Sequence, residues 1–448
     1  MRYSHNRRRT VCRKACVGLA TAGLLAVPVA GATAHAAQPT PTPTPVPTAS
    51  AQPSPAGGFP VLDDSVDAKL DKAVQDVLKK TGVPGVIVGV SAPGKGEYTR
   101  AFGVADKGTG QPMKPDLYSR IGSQTKTFTV TALLQLAGQG KVGLDDPIGT
   151  YIAGVPNGER ITLRELAGMR SGLLSYTQTE AFYKALTTDP TRQYTPRQLL
   201  DYAFDAPEPV LFEPNAQFNY SNTNLILLGL VIEKVSGKPL GDYIRDHILR
   251  PAGMNRTSFP KGAEFPTPHA QGYTEQTASG KVENATDWNP SWGWAAGAMV
   301  SDLPDMRTWA KTVATGTFPD GKRMVSPEMQ KQRLITPPTV IPGAGYGLGI
   351  FDVQGWIGHN GSLPGYQTLA LYLPEAQATL VVLLNADFAY GPEQEEPSTL
   401  FGQAITQIVT PDHIYNLPPV TQKSPAPSSP APTPPSKPAS SPASSPAS

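Results

Sequence analysis

Ser123-Gln124-Thr125-Lys126 places a hydroxyl and an amine three residues apart, directly before the apolar run Thr131-Ala132-Leu133-Leu134-Gln135-Leu136. That run has helical length and spacing, so the tetrad falls at a helix start. Three residues along a helix advance about 4.5 Å and return nearly to the same face, so the lysine amine can reach the serine hydroxyl. A neutral serine is a poor nucleophile and needs an adjacent base. A lysine near the positive end of a helix and out of water is pushed toward its neutral form, which can take that proton. Ser-x-x-Lys is an acyl-enzyme motif, but two fixed letters in four are weak evidence. The chain holds a second copy, Ser258-Phe259-Pro260-Lys261. There Pro260 spoils a helix interior, which marks that copy as chance.

Two further clusters carry suitable chemistry. In Phe218-Asn219-Tyr220-Ser221-Asn222-Thr223-Asn224, Tyr220 sits where a loop meets the apolar helix pattern Leu225 to Val235. A phenol beside a lysine ammonium is favoured as phenolate and becomes a proton shuttle, and Asn222 points the same way in extended chain. Taken alone, Tyr220 reads more readily as a half-buried tyrosine with a satisfied hydroxyl. Gly358-His359-Asn360-Gly361-Ser362 ends a strand pattern. His359 there offers a tunable positive charge or donor, and Gly361 lets a substrate backbone lie close to the strand. The remaining histidines past residue 36, His247, His269 and His413, have no metal-ligand spacing with it or one another, so neither a metal nor another cofactor is expected. No Gly-x-Ser-x-Gly elbow and no glycine-rich phosphate loop is present.

The elements that must position these residues follow from pattern. Val66, Leu70, Val74, Val77 and Leu78 mark one face of a helix capped by Asp64 or Ser65 and stopped at Gly82. Val83 to Ser91 and Glu97 to Val104 read as strands joined by Pro93-Gly94-Lys95-Gly96. From the tetrad to about Met299 the chain is helical pattern and loop, with helices at Thr162 to Ala167, Pro196 to Phe204 and Asn224 to Val235. Strand patterns return at Tyr346 to Asp352, Gly355 to His359, Gln367 to Leu373 and Thr379 to Leu384, before a last helix from Ser398 to Val409. The expected fold is mixed α/β (α+β): an antiparallel sheet from both ends of the domain, flanked by helices, with an inserted helical lobe. The cleft between sheet and lobe is the default binding site.

The ends of the chain are a different material. Six basic residues and no acid precede an apolar run from Val17 to Gly31 and the small residues Ala34-His35-Ala36. Residues 1–36 read as a secretory signal peptide, too short in its apolar part to span a membrane. Arg7-Arg8-Arg9 leaves both the general and the twin-arginine export routes open. Its removal takes six positive charges from a net +2 and leaves −4, which carries no nucleic-acid footprint. Both cysteines, Cys12 and Cys16, go with it, so the mature chain has neither disulfide nor thiol chemistry and no lipid anchor. Residues 37–58 and 418–448 hold 18 of the 48 prolines and read as a linker and a tail that cannot bury a core. They serve as cell-wall spacers or as plain solubilising linkers. Between them, residues 59–417 form the expected folded domain, secreted into the extracellular or cell-wall space, with no membrane anchor.

Ser123-x-x-Lys126, Tyr220-Ser221-Asn222 and His359-Asn360-Gly361, in that order and at intervals of 97 and 139 residues, resemble the three signature elements of the β-lactamase/penicillin-binding serine hydrolases, in particular their class C branch. The resemblance spans about residues 65–410 and is closest to the secreted serine D-Ala-D-Ala carboxypeptidases, whose third element is His-Thr-Gly. It extends to Ile161-Thr162-Leu163-Arg164, Ser171-Gly172-Leu173, Ala296-Gly297-Ala298 and Tyr346-Gly347-Leu348-Gly349. It implies a β-lactamase/transpeptidase-like fold in which Ser123 is acylated while Lys126 and Tyr220 move its proton. Asn222 is then expected to hold Lys126 and bind a substrate amide, and His359 to complete the polar network opposite Tyr220. The backbone N–H groups of Ser123 and Ser362 would form the oxyanion hole, with Asn360 and Gly361 beside them and Trp292 lining the cleft or serving as ordinary core.

Departures from the family pattern narrow the expectation. His-Asn-Gly in place of Lys-Thr-Gly argues against β-lactamase as the main activity, while Asn360 keeps a polar contact. Phe351 stands where the carboxypeptidases carry an arginine that grips the terminal carboxylate. Met169 replaces a frequent histidine, and Asn215 replaces a Pro-Gly turn whose left-handed conformation asparagine tolerates. The leading expectation is a D-Ala-D-Ala carboxypeptidase acting on peptidyl-D-amino-acid or ester substrates and acylated by β-lactam antibiotics. An esterase, D-aminopeptidase or peptide cyclase of the same fold comes next, then a class C β-lactamase, and last a non-enzymatic wall-binding protein.

Overall fold

The computed structural model describes residues 58–418. The segments expected as signal peptide and linker, up to residue 57, and as tail, from residue 419, lie outside the described residues.

The first helix, Asp64–Thr81, buries Leu70, Val74 and Val77. Its cap is Asp63, one residue earlier than expected, because that carboxylate accepts the N–H groups of both Ser65 and Val66. Gly82, left-handed at φ 71°, ends it. Strands β1 (Gly85–Ala92) and β2 (Gly96–Gly103) follow as an antiparallel hairpin. Two short pairs lie outside the main sheet: β3 (Ser119–Arg120) with β6 (Val300–Ser301), and β4 (Tyr273–Thr274) with β5 (Glu283–Asn284). The first of these pairs closes the base of the helical insertion, which runs between Ser123 and Met299 as the pattern indicated.

The late strands are β7 (Ala344–Tyr346), β8 (Phe351–Val353), β9 (Trp356–Leu363), β10 (Tyr366–Leu373) and β11 (Ala378–Leu384). With β1 and β2 they form a seven-stranded sheet in the order β2-β1-β11-β10-β9-β8-β7. The pairing of β1 with β11 joins the two ends of the domain in one antiparallel sheet, as expected. The single strand expected over Tyr346 to Asp352 is two strands, because left-handed Gly349 turns the chain between them. An added Cβ at Gly349 would come within 2.7 Å of Val130.

Register decides which side chains face the site. Gly89, Val381, Ala370 and His359 lie in one row across the sheet. An added Cβ at Gly89 would strike Leu303, so this row faces the helix Leu303–Thr315. Leu369 and Asn360 form the next row. Leu369 meets Gly402 of the C-terminal helix Pro397–Val409, so that row faces the other way. Strand alternation therefore sends His359 and Asn360 to opposite faces. Both faces are covered, which is why β10 and β11 are buried along their whole length.

Candidate active site

The chain enters the site through β3 and turns at Gly122, which has φ 53°. A short 3₁₀ turn, Gly122–Gln124, leads into the helix Thr125–Gly138, which is buried on nearly every side. Ser123 is half-exposed at the start of this turn, and Lys126 is fully buried one turn later. Lys126 Nζ is hydrogen-bonded to Ser123 Oγ at 2.9 Å and to the Ala296 carbonyl at 2.7 Å. Among the described residues no carboxylate pairs with it. Burial alone pushes its pKa well below the ordinary 10.5, toward the neutral amine. The decoy behaves differently. Ser258 is tied by its backbone to Val300, no helix includes Ser258-Phe259-Pro260-Lys261, and Lys261 is exposed.

Tyr220 lies just before the helix Asn222–Ser236 and keeps part of its surface open. Its phenol lies near enough to Ser123 for that hydroxyl to lower its pKa, and its ring centroid is 4.9 Å from Lys126 Nζ. Burial raises the Tyr220 pKa. The nearby Ser123 hydroxyl opposes that rise, and the Glu396 carboxyl adds to it. The phenolate expected from the sequence is thus corrected: burial raises the phenol and disfavours the Lys126 ammonium that would stabilise a phenolate. Their surroundings shift the pair in opposite senses, Lys126 toward the neutral amine and Tyr220 toward the protonated phenol.

His359 is corrected in the same sense. It is fully buried, and burial lowers its pKa to about 3, so it carries no positive charge at neutral pH. Its Nδ1 lies 2.5 Å from the Asn360 carbonyl, which can only accept, so Nδ1 holds the proton. Nε2 then accepts from the Tyr346 hydroxyl at 3.3 Å. The ring also packs against Tyr220 and Phe351, at centroid distances of 6.1 and 5.0 Å. Its role is to hold the wall behind Tyr220.

The placement of Ser362, expected as an oxyanion donor, follows from sheet geometry. β9 and β10 are joined by the two-residue turn Pro364-Gly365, which makes Leu363 and Tyr366 the closing hydrogen-bonded pair. Ser362 opposite Gln367 is then a non-hydrogen-bonded pair, and its N–H points away from β10. It points at Gly122, where an added Cβ would lie 2.8 Å from Ser362 N. The Ser362 N–H thus faces the turn that carries Ser123. Gly361 is required by the protein itself rather than by a substrate: an added Cβ there would lie 2.1 Å from the Ile121 carbonyl. Gln124 Nε2 also bonds the His359 carbonyl, fastening the serine turn to β9.

A family model described as Beta-lactamase matches residues 70–401. The chain belongs to the β-lactamase family of serine hydrolases. Among solved structures it is similar to a D-stereospecific amidohydrolase from Streptomyces sp., at 29% identity and a TM-score of 0.67, covering 77% of this chain and 98% of that one. It is similar to the D-amino acid amidase of Ochrobactrum anthropi SV3 complexed with L-phenylalanine amide, at 26% identity and a TM-score of 0.66, covering 78% and 97%. It is also similar to the octameric penicillin-binding protein homologue from Pyrococcus abyssi, at 28% identity and a TM-score of 0.64, covering 77% of each chain.

Within this family frame the other expected residues separate. Asn222 gives its amide to Thr177 Oγ1 at 3.0 Å, and the Ala296 carbonyl takes the place at Lys126 that the sequence reading gave to Asn222. Trp292 is half-buried, packs on Phe182 at 5.9 Å and accepts the Tyr176 hydroxyl on its carbonyl at 2.6 Å. Asn360 donates to Glu396 Oε2 at 2.8 Å. Phe351 is buried edge-on to Tyr346 at 4.6 Å, so its position presents an apolar ring and no cation. Asn215 is left-handed at φ 64°, as expected. Met169 is left-handed too, and its sulfur accepts the Ser221 N–H at 3.5 Å and Asn224 Nδ2 at 3.7 Å, so a thioether does an acceptor's work. Sequence reasoning missed Gln124, Tyr346 and Glu396. Tyr346 had a signal in its glycine-rich landmark, whereas Glu396 had none. A cavity of about 530 Å³ lined by Tyr194, Glu233, Phe259, Lys261 and Trp294 among others contains none of the residues that surround Ser123.

Proposed function

We propose that this protein hydrolyses D-amino-acid amides or esters through an acyl-enzyme on Ser123, with β-lactams as slow acylating analogues. The observation that carries the reading is the buried Lys126 amine bonded to Ser123 Oγ at 2.9 Å, with the Tyr220 ring 4.9 Å from the same amine. Ser123 Oγ attacks the carbonyl carbon as its proton passes to Lys126. The developing oxyanion is held by the N–H groups of Ser123 and Ser362. Collapse breaks the C–N or C–O bond, Tyr220 protonates the leaving atom, and Lys126 returns its proton to Tyr220. Water then attacks the acyl-enzyme by the same groups in reverse, releasing the acid and Ser123.

The D-amino-acid class is supported by the similarity to the Streptomyces amidohydrolase and the Ochrobactrum amidase. A second reading, a D-Ala-D-Ala carboxypeptidase of the cell-wall space, is favoured by the His359-Asn360-Gly361 element, and the signal-like residues 1–36 support secretion for either. Phe351 weighs against the second reading, because a buried ring cannot grip a terminal carboxylate.

Amine release from D-amino-acid amides should be compared with D-Ala release from a D-Ala-D-Ala peptide. The amides are expected to turn over faster, their L-enantiomers poorly, and Ser123→Ala to abolish both turnover and penicillin labelling. Faster D-Ala release would transfer the assignment to the carboxypeptidase, and a labelled Ser123→Ala protein would refute the acyl-enzyme.

A further inference from the structure

The helix Trp294–Gly297 is a single turn, and the way it ends leaves two carbonyls free. The N–H groups of Met299 and Val300 would continue an α-helix by bonding the carbonyls of Ala295 and Ala296. Both are taken elsewhere: Met299 N–H by Thr125 Oγ1 at 3.1 Å, and Val300 N–H by the Ser258 carbonyl at 3.0 Å. The two carbonyls turn instead to the helix Thr125–Gly138. Thr129 Oγ1 donates to the Ala295 carbonyl at 2.8 Å, and Lys126 Nζ meets the Ala296 carbonyl at 2.7 Å. Trp294, at the head of the turn, holds φ 31°, a strained value for a residue with a Cβ. From the far side the helix Asn222–Ser236 leaves no slack. An added Cβ at its Gly229 would lie 2.6 Å from the Trp294 ring and 2.8 Å from Ala295 Cβ.

Thr129 is fully buried and differs from the threonines on either side of it. Thr127 and Thr131 bond back to carbonyls of their own chain segment, Gln124 and Thr127, each at 2.6 Å. Thr129 reaches off the helix. Thr125 and Thr129 stand one turn apart on the face that carries Lys126, so they strap the Ala295–Met299 segment across the lysine. We infer that Thr129 is a positioning residue for the base: by holding the Ala295 carbonyl, it keeps the adjoining Ala296 carbonyl on Lys126 Nζ. As Ser123 Oγ bonds the substrate carbonyl carbon, its proton passes to Nζ, and the ammonium so formed is fully buried. The titratable groups beside it, Tyr220 with its ring at 4.9 Å and His359 behind that ring, supply no counter-charge. The Ala296 oxygen is the acceptor in place, and a hydrogen bond from a charged donor is about twice as strong as one from a neutral donor. The inference rests on the proposed acyl-enzyme chemistry at Ser123.

The test compares Thr129→Val, which keeps the shape and removes the hydroxyl, with Thr129→Ser, which keeps the hydroxyl and removes the methyl. Acylation by a labelled penicillin is followed across pH, at a temperature where circular dichroism finds each variant folded. In Thr129→Val the plateau rate is expected to fall by about tenfold to a hundredfold. The rising acid limb, where Lys126 gives up its proton, should move down by about one pH unit, because the ammonium has lost a held acceptor. Thr129→Ser should keep the wild-type limb and acylate within about threefold of the wild-type rate. A purely structural role predicts the reverse order, with Thr129→Ser the more impaired and both limbs unmoved. That result would overturn the inference, as would a Thr129→Val protein indistinguishable from wild type at every pH. Should Thr129→Val fail to fold, Thr129→Ala gives the same contrast with Thr129→Ser. Absent penicillin labelling of the wild type would instead refute the proposed chemistry at Ser123.

Discussion

Gly122→Ala tests the geometry of the oxyanion hole with one methyl group. An ideal Cβ at residue 122 lies 2.8 Å from Ser362 N and 3.2 Å from the carbonyl carbons of Gly361 and Ser362. These neighbours are backbone atoms of β9, so no side-chain rotation relieves the contact. Ordinary contact begins near 3.4 Å, so the serine turn and β9 must separate by about 0.6 Å. The φ of 53° adds about 1–2 kcal/mol of backbone strain for any residue with a Cβ. Displacements of about 1 Å cost on the order of 10²-fold in rate, and loss of one oxyanion donor about 10²–10³-fold. The expected result is a fall of about 10²-fold in the second-order rate of Ser123 acylation, or about 2.7 kcal/mol of barrier. Global stability should fall by about 1–3 kcal/mol. Acylation is followed with a labelled penicillin or a chromogenic D-amino-acid ester by stopped flow, at a temperature where circular dichroism finds the variant folded. A folded Gly122→Ala protein that acylates within threefold of the wild type would refute the placement of Ser362 N–H as a donor.

Two further outcomes follow from the buried titratable groups. Lys126→Met removes the base while filling its volume, so acylation should drop by at least about 10³-fold while thermal stability rises. The folded pKa of Lys126 is lowered, so the unfolded chain binds more protons between that value and 10.5. The stability gained by the variant should therefore shrink as pH rises toward 10.5, which denaturant melts across pH will read. His359, with its pKa near 3 against an ordinary 6.5, should not titrate by NMR between pH 5 and 8. Because the unfolded chain takes up that proton first, His359 weakens the fold as pH falls from 6.5 toward 3. His359→Gln should reduce that acid sensitivity, and an imidazole titrating near 6.5 would contradict its burial.

Much of the fold was legible because periodicity reports burial directly. The helix Asp64–Thr81, the hairpin β1–β2, β10, β11 and the C-terminal helix all fall within a few residues of their patterns. The break between β7 and β8 was not legible, because its cause is the packing of Gly349 against Val130, more than two hundred residues away. At the site, Ser123, Lys126 and Tyr220 converge as their motifs implied. The charge states did not follow. A lysine beside a tyrosine reads as ammonium and phenolate until burial of both is known, and burial reverses the assignment of each.

The order and spacing of three short motifs were enough, in the sequence alone, to point to the family and to a candidate nucleophile and base, because covalent chemistry demands particular side chains. Tertiary structure alone decided how those side chains are held and charged. It put Ala296 rather than Asn222 on Lys126, made His359 a neutral prop on Tyr346, and brought Glu396 to Asn360 across the sheet edge. The reason is that desolvation and hydrogen bonding act between residues distant in the chain, and no local pattern records how far water has been excluded from them.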